Sequence, residues 1–191
     1  MKNIDFQSIA DYIEYESASE TKHEYEKGEI LMMSGGTINH GILCGNAYNE
    51  LRKKVGNDKK KCSVIGSEVR IHIQSVNSIV YPDAMVICGE IEVSQEDEEA
   101  IINPLIVVEV LSKSTESYDR GDKFYKYRQL DSIKEYLLID QEKPMVESFY
   151  KRENNIWEIS RVSGLEKSLK VKSIGIEINL EDLYVNVKWK V

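Results

Sequence analysis

The sequence predicts a mixed α/β fold of the α+β kind, in which a central mixed sheet is flanked by helices and followed by a C-terminal β-meander. Three observations predict it. Leu105-Ile106-Val107-Val108-Glu109-Val110-Leu111 is a near-continuous β-branched run, the composition of a strand covered on both faces. Ile38, Ile42, Leu43, Ala47, Leu51 and Val55 lie along one stripe at helical spacing, so 37–55 reads as an amphipathic helix. From Met145 onward the pattern changes to short alternating segments separated by turn residues, which reads as antiparallel strands of the same unit and not as a second domain.

A chain of 191 residues, 41% hydrophobic and 30% charged, is expected to form one domain spanning 1–191, large enough to bury a core without disulfides or structural metal. The cysteines, Cys44, Cys62 and Cys88, are odd in number, scattered and never spaced as C-x-x-C. They suggest neither a disulfide framework nor a zinc site, and a reducing cytoplasm is the expected compartment. Met1 to Tyr15 lacks the apolar core of a secretory signal, and no run approaches the roughly 18 apolar residues of a membrane span. The net charge of −8, with a pI near 5.1, argues against a protein whose main task is tight, sequence-independent binding to nucleic acid. A local basic strip can still meet phosphate, because acids in 92–99 set part of the net sign.

In chain order, Asp5 to Tyr15 carries Phe6, Ile9, Ala10 and Ile13 at helical spacing, with Asp5 as the expected N-cap. Lys22 to Met33 reads as two strands around Lys27-Gly28, where glycine supplies the positive φ of a tight hairpin. Thr37 caps the following helix and Gly56 ends it. Arg52-Lys53-Lys54 and Lys59-Lys60-Lys61 bracket that end, and their ordinary reading is solvated lysine complementing the helix dipole. Val64-Ile65, Val69 to Ile73 and Val80 to Ile87 are expected strands, with Pro82 at the start of the last, where no ladder donor is needed. Glu90 to Glu99 reads as an acidic, solvent-exposed connection ending at Asn103-Pro104. A polar loop through Ser117 precedes an expected helix from Tyr118 to Leu130, with Asp119 as candidate N-cap and Phe124, Tyr127 and Leu130 facing inward. Glu135 to Asp140, Val146 to Tyr150, Ile156 to Val162 and Ile174 to Ile178 are the remaining expected strands, and Leu180 to Tyr184 closes as a helical turn.

The chemistry concentrates between Tyr81 and Lys123. Glu109 interrupts a buried run, and a buried carboxylate must be paired, protonated or bound to a cation. Asp83 opens the neighbouring apolar run, so two adjacent strands can bring both acids to one end of the sheet, and Lys123 lies on the helix after the second strand. Two hard oxygen ligands and an amine suit phosphate-ester hydrolysis with Mg²⁺ or Mn²⁺. Each residue also has an ordinary reading: Asp83 as a turn-capping aspartate, Lys123 as a solvated helix lysine, His40 as a satisfied helix histidine.

A set of motifs runs through nearly the whole chain: His23-Glu24-Tyr25-Glu26-Lys27-Gly28-Glu29-Ile30, His40, Tyr81-Pro82-Asp83, Pro104 to Thr115, Asp119-Arg120-Gly121-Asp122-Lys123, and Glu135-Tyr136-Leu137-Leu138-Ile139-Asp140. In this order they resemble the Uma-two family of restriction-endonuclease-like proteins, a branch of the PD-(D/E)XK nuclease superfamily. The resemblance implies a restriction-endonuclease-like core. It implies that Asp83 and Glu109 bind Mg²⁺ or Mn²⁺, with the Val110 carbonyl as a further ligand and Glu24 as an auxiliary metal carboxylate. The superfamily places lysine two residues after the glutamate, where this chain has Leu111. Lys123, in the family's helical D-R-x-x-K, is the expected replacement, with Lys113 as runner-up. The function so implied is a metal-dependent DNA endonuclease in which Asp83, Glu109 and Lys123 are catalytic and His40 and Arg120 contact phosphate. A homodimer would offer two sites to two DNA strands. The alternative is a catalytically weak or inactive nuclease-fold binding module.

Overall fold

The computed structural model describes residues 8–33, 35–56 and 61–189. The expected cap Asp5, its neighbour Phe6 and the lysines Lys59 and Lys60 lie outside the described residues. Helix α1 (Ile9–Ala18) starts at Ser8, whose hydroxyl accepts from the Asp11 N–H, and it runs three residues beyond the expected end. Strands β1 (His23–Glu26) and β2 (Glu29–Met32) form the expected hairpin. Both central residues of its turn have positive φ, Lys27 at 50° and Gly28 at 102°, the backbone of the turn that matches strand twist. Helix α2 (Ile38–Val55) has the expected limits, capped by the Thr37 hydroxyl and ended at Gly56.

Next come β3 (Cys62–Gly66), β4 (Arg70–Ile73), β5 (Ser78–Val80) and β6 (Ala84–Cys88). The run from Val80 to Ile87 is therefore two strands, not one. Tyr81-Pro82-Asp83 carries the chain from one sheet to the other, since proline cannot donate to a ladder. The acidic stretch also departs from expectation. Ser94 and Asp97 are buried, Asp97 is paired with Arg70, and β7 (Ala100–Ile101) adds to β4 in parallel. A buried arginine needs an anion, so this loop is held down where its composition alone suggests solvent.

The central strand β8 (Ile106–Leu111) is buried throughout. The helix after it begins at Glu116, not Tyr118, and runs as α3 (Glu116–Tyr118), a π-helical turn (Asp119–Lys123) and α4 (Phe124–Tyr127). Asp119 is thus inside the helix and not its cap. Strands β9 (Glu135–Asp140), β10 (Met145–Lys151) and β11 (Trp157–Ser163) form the meander, β12 (Ser168–Val171) and β13 (Ile176–Asn179) a separate hairpin, and α5 (Leu180–Leu183) the closing turn.

The six-stranded sheet has the order β11-β10-β9-β8-β6-β3, with β8 and β9 parallel and β6 antiparallel to β8. The second large sheet has the order β2-β1-β5-β4-β7. Along β8 the side chains alternate faces. Ile106, Val108 and Val110 join the core under α2 and α5, whereas Val107 and Leu111 join the core shared with β4, β5 and α4. Glu109 has the parity of the second core, under the helix that carries Lys123. No helix among the described residues is long and apolar enough to cross a membrane.

Cys62 and Cys88 stand opposite each other in the β3–β6 register and form a disulfide. This corrects the expectation of unpaired thiols and removes the cysteine-based support for a reducing compartment. A separation of 26 residues says nothing about pairing until strand register is known.

Candidate active site: acids gathered around one lysine

The β6–β8 ladder pairs Ala84 with Val108 and stops there. One further step in that register would set Asp83 opposite Glu109. Instead the strands part after Pro82, and the Val110 N–H donates to Asp83 Oδ2 at 2.7 Å. The carboxylate thus accepts from the Val110 N–H where the β6–β8 ladder ends, which fixes it at the open end of the sheet.

Lys123 reaches this end from the π-helical turn. Such turns shift the helical register and are found at functional sites. Here both Asp119 and Lys123 are buried. The Lys123 ammonium lies 3.0 Å from Glu109 Oε1 and 3.1 Å from Glu24 Oε1, and it donates to the Tyr81 carbonyl at 2.9 Å. Three acceptors match its three N–H donors. Around this centre, Tyr127 donates to Glu109 Oε1 at 2.9 Å and Tyr118 to Glu24 Oε2 at 2.7 Å. Lys126 in turn donates to the Tyr118 hydroxyl at 2.9 Å and pairs with Glu26 at 2.8 Å. A cleft of about 200 Å³, lined by Glu24, Glu26, Tyr118 and Lys126 among others, opens beside Glu24.

The electrostatics are unbalanced. Burial works to strip the proton from Lys123, but the charges of Glu109, Glu24, Asp119 and Asp83 outweigh it and hold its pKa well above the usual lysine range. Burial pushes Glu109 well up, and Asp83 and Asp119 add to the rise against the pull of Lys123. Burial likewise raises Asp119. Asp83 is opposed by burial, yet hydrogen bonding from His40 and from the Val110 N–H keeps it below its usual value. Two carboxylates therefore pair with one buried ammonium while Asp119 and Asp83 act on it through space, an arrangement that favours an additional cation.

The expected catalytic residues Asp83, Glu109 and Lys123 converge, with Glu24 beside them. The expected metal trio Glu24, Asp83 and Glu109 is not gathered into one compact ligand set, because the ammonium stands between Glu24 and Glu109. Among the described residues, the trio whose ligand atoms all lie within 4.8 Å of one another is His40, Cys44 and Asp83. His40 Nε2 is 3.4 Å from Asp83 Oδ2, and Cys44 Sγ is 3.4 Å from His40 Nδ1. The Asp83 carboxylate raises the His40 pKa against the effect of burial.

Arg120 is directed at Glu116 and Glu147. A phosphate contact would have to draw it from these partners. Lys113, the runner-up lysine, is 84% exposed in its side chain and 3.7 Å from Glu142, so it does not join the centre. Sequence reasoning missed Asp119, Tyr118, Tyr127 and Cys44. For Cys44 a signal was present, since it follows His40 by four residues in a helix and so shares its face.

The family model described as "Uma2: Putative restriction endonuclease" matches residues 9–181. Two proteins of Synechocystis sp. are similar over most of their length. "Uncharacterized protein slr1290" is 30% identical over 93% of this chain and 90% of its own. "Uncharacterized protein sll1609" is 33% identical over 82% and 88%. The crystal structure of "a putative nuclease belonging to DUF820" from Anabaena variabilis superposes with a TM-score of 0.73 over 92% of this chain and 96% of that one, at 15% identity, and so shares the fold. The chain belongs to the Uma2 family, whose description is "Putative restriction endonuclease".

Proposed function

We propose that this protein is a divalent-metal-dependent DNA endonuclease whose centre is built from Asp83, Glu109, Glu24 and Lys123. The family membership and the nuclease-like fold support nuclease chemistry in general. The observation that carries the specific reading is the buried Lys123 ammonium paired with both Glu109 and Glu24 at the end of the sheet where the Val110 N–H holds Asp83.

The donor set fits Mg²⁺ or Mn²⁺, since carboxylate oxygens are the hard ligands these ions take. Asp83 and Glu109 would hold the ion, with Glu24 kept across the Lys123 ammonium, and when bound it would polarise a phosphoryl oxygen and acidify a water. The chain's own groups do the positioning. The Val110 N–H fixes Asp83, and the Tyr127 and Tyr118 hydroxyls orient Glu109 and Glu24. Lys123 works against the burial that raises Glu109 and offsets the charge that grows on phosphate. To orient the attacking water it must release one of its three acceptors.

A second reading is a nuclease-fold DNA-binding module without catalysis. Leu111 at the superfamily's lysine position and the fully engaged Lys123 ammonium favour it. One assay separates the two: purified chain with supercoiled plasmid and Mg²⁺ or Mn²⁺, alongside Asp83→Asn. The endonuclease reading expects nicking by the native chain and none by the variant. Absence of nicking with retained plasmid binding favours the module, and equal nicking by both proteins removes the site. Sedimentation with and without a DNA duplex tests the homodimer.

A further inference from the structure

Asp83 also faces two residues of α2, His40 and Cys44, which the endonuclease reading does not use as metal ligands. His40 and Cys44 occupy positions i and i+4 of α2, so both project from one face of an 18-residue capped helix. With Asp83 they bring a nitrogen, a sulfur and an oxygen within 4.8 Å of one another. The hydrogen bond from His40 Nε2 to Asp83 Oδ2 is a long one at 3.4 Å, so it yields readily to a bound ion.

Tetrahedral zinc, with bonds of about 2.0 Å to nitrogen and oxygen and about 2.3 Å to sulfur, sets its ligand atoms roughly 3.3–3.5 Å apart. Either 3.4 Å separation beside the imidazole is of this size, and only one of them can become an edge of the coordination shell. They involve different ring nitrogens, so a bound ion takes one nitrogen and the ring turns toward it. Gly36 leaves room beside the ring only because it has no Cβ, which would lie 2.7 Å from His40 Nδ1.

We propose that His40, Cys44 and Asp83 form a binding site for a borderline-soft divalent cation of the Zn²⁺ class. A thiolate and an imidazole select such a metal over Mg²⁺. Three protein ligands leave one coordination position open, and His40 and Asp83 are both partly exposed, which provides access. The site shares Asp83 with the endonuclease centre but does not depend on that activity.

The test is a Co²⁺ titration of the full chain, read by absorption, without DNA. Native protein is expected to give thiolate-to-cobalt charge-transfer absorption that saturates at one equivalent and is displaced by Zn²⁺. Cys44→Ser is expected to lose the charge-transfer band, and His40→Ala to weaken binding at least tenfold. Cys62→Ser with Cys88→Ser leaves Cys44 as the one thiol in the sequence and is expected to keep the band. This double variant carries the test should Cys44→Ser fail to fold. No band in native protein, a band that survives Cys44→Ser, or its loss in the double variant would overturn the site. Plasmid nicking is measured separately, so either reading can fail alone.

Discussion

Glu109 and Glu135 are both buried glutamates, on the adjacent parallel strands β8 and β9, and their surroundings differ in kind. Glu135 accepts from the Ser148 and Ser173 hydroxyls at 2.6 and 2.8 Å and from the Ser173 and Lys172 N–H groups at 2.9 and 3.3 Å. Its oxygens are met by neutral dipoles that pin the β12–β13 connection to the sheet. Glu109 has one tyrosine hydroxyl and one ammonium, and the other charges that act on it are the acids Asp83 and Asp119. A buried acid alone does not mark a site. A buried acid with more anionic than cationic neighbours does, because folding has left charge that a ligand can neutralise.

The largest expected effect separates the two glutamates by activity. Glu109→Gln and Asp83→Asn should lower plasmid nicking by about 100-fold or more, in line with loss of an electrostatic group from an active site. Glu135→Gln, compared at equal folded fraction, should leave the rate within about twofold. A matching loss in both would make the distinction structural only.

Stability gives the next contrast. Lys123→Met leaves Glu24 and Glu109 buried without their counterion and should cost roughly 3–5 kcal/mol in denaturant unfolding. Glu135→Gln disturbs neutral hydrogen bonds and should cost roughly 1–3 kcal/mol. Should Lys123→Met cost less than Glu135→Gln, Lys123 is not the ion that holds the centre together.

Tyr127→Phe removes one hydroxyl from Glu109 and should cost about 1 kcal/mol. Its nicking should fall by less than in Glu109→Gln, because the carboxylate stays but loses one orienting bond.

The smallest effect is a pH profile at a third buried acid. Burial opposes ionisation of Glu147, but Arg120 and Arg161 prevail and lower its pKa below the ordinary 4.5. Its stabilisation is therefore complete above pH 4.5 and is lost as pH falls through the lowered value. Glu147→Gln should flatten that acid limb of the stability curve and leave the neutral region parallel to native.

Much of this was legible in the residues. The β8 run, the limits of α2 and the Lys27-Gly28 turn follow from local chemistry that acts within a few positions, and Glu109 announced itself as a charge inside an apolar strand. Non-local features were not legible. The cross-strand pairing of Cys62 with Cys88 needs the β3–β6 register, and the burial of Asp97 needs Arg70 across a different sheet. Asp119 looks like a cap in sequence because D-R-G-D-K resembles a helix start. The π-helical turn instead folds it inward beside Lys123.

Calorimetric titration of Mn²⁺ into the native chain, Glu109→Gln and Glu135→Gln measures the excess buried charge at its source. Native protein and Glu135→Gln should bind the ion with the same stoichiometry, and Glu109→Gln should lose binding. Binding of Mn²⁺ by Glu109→Gln as tightly as by native protein would contradict a cation site at the open end of β8.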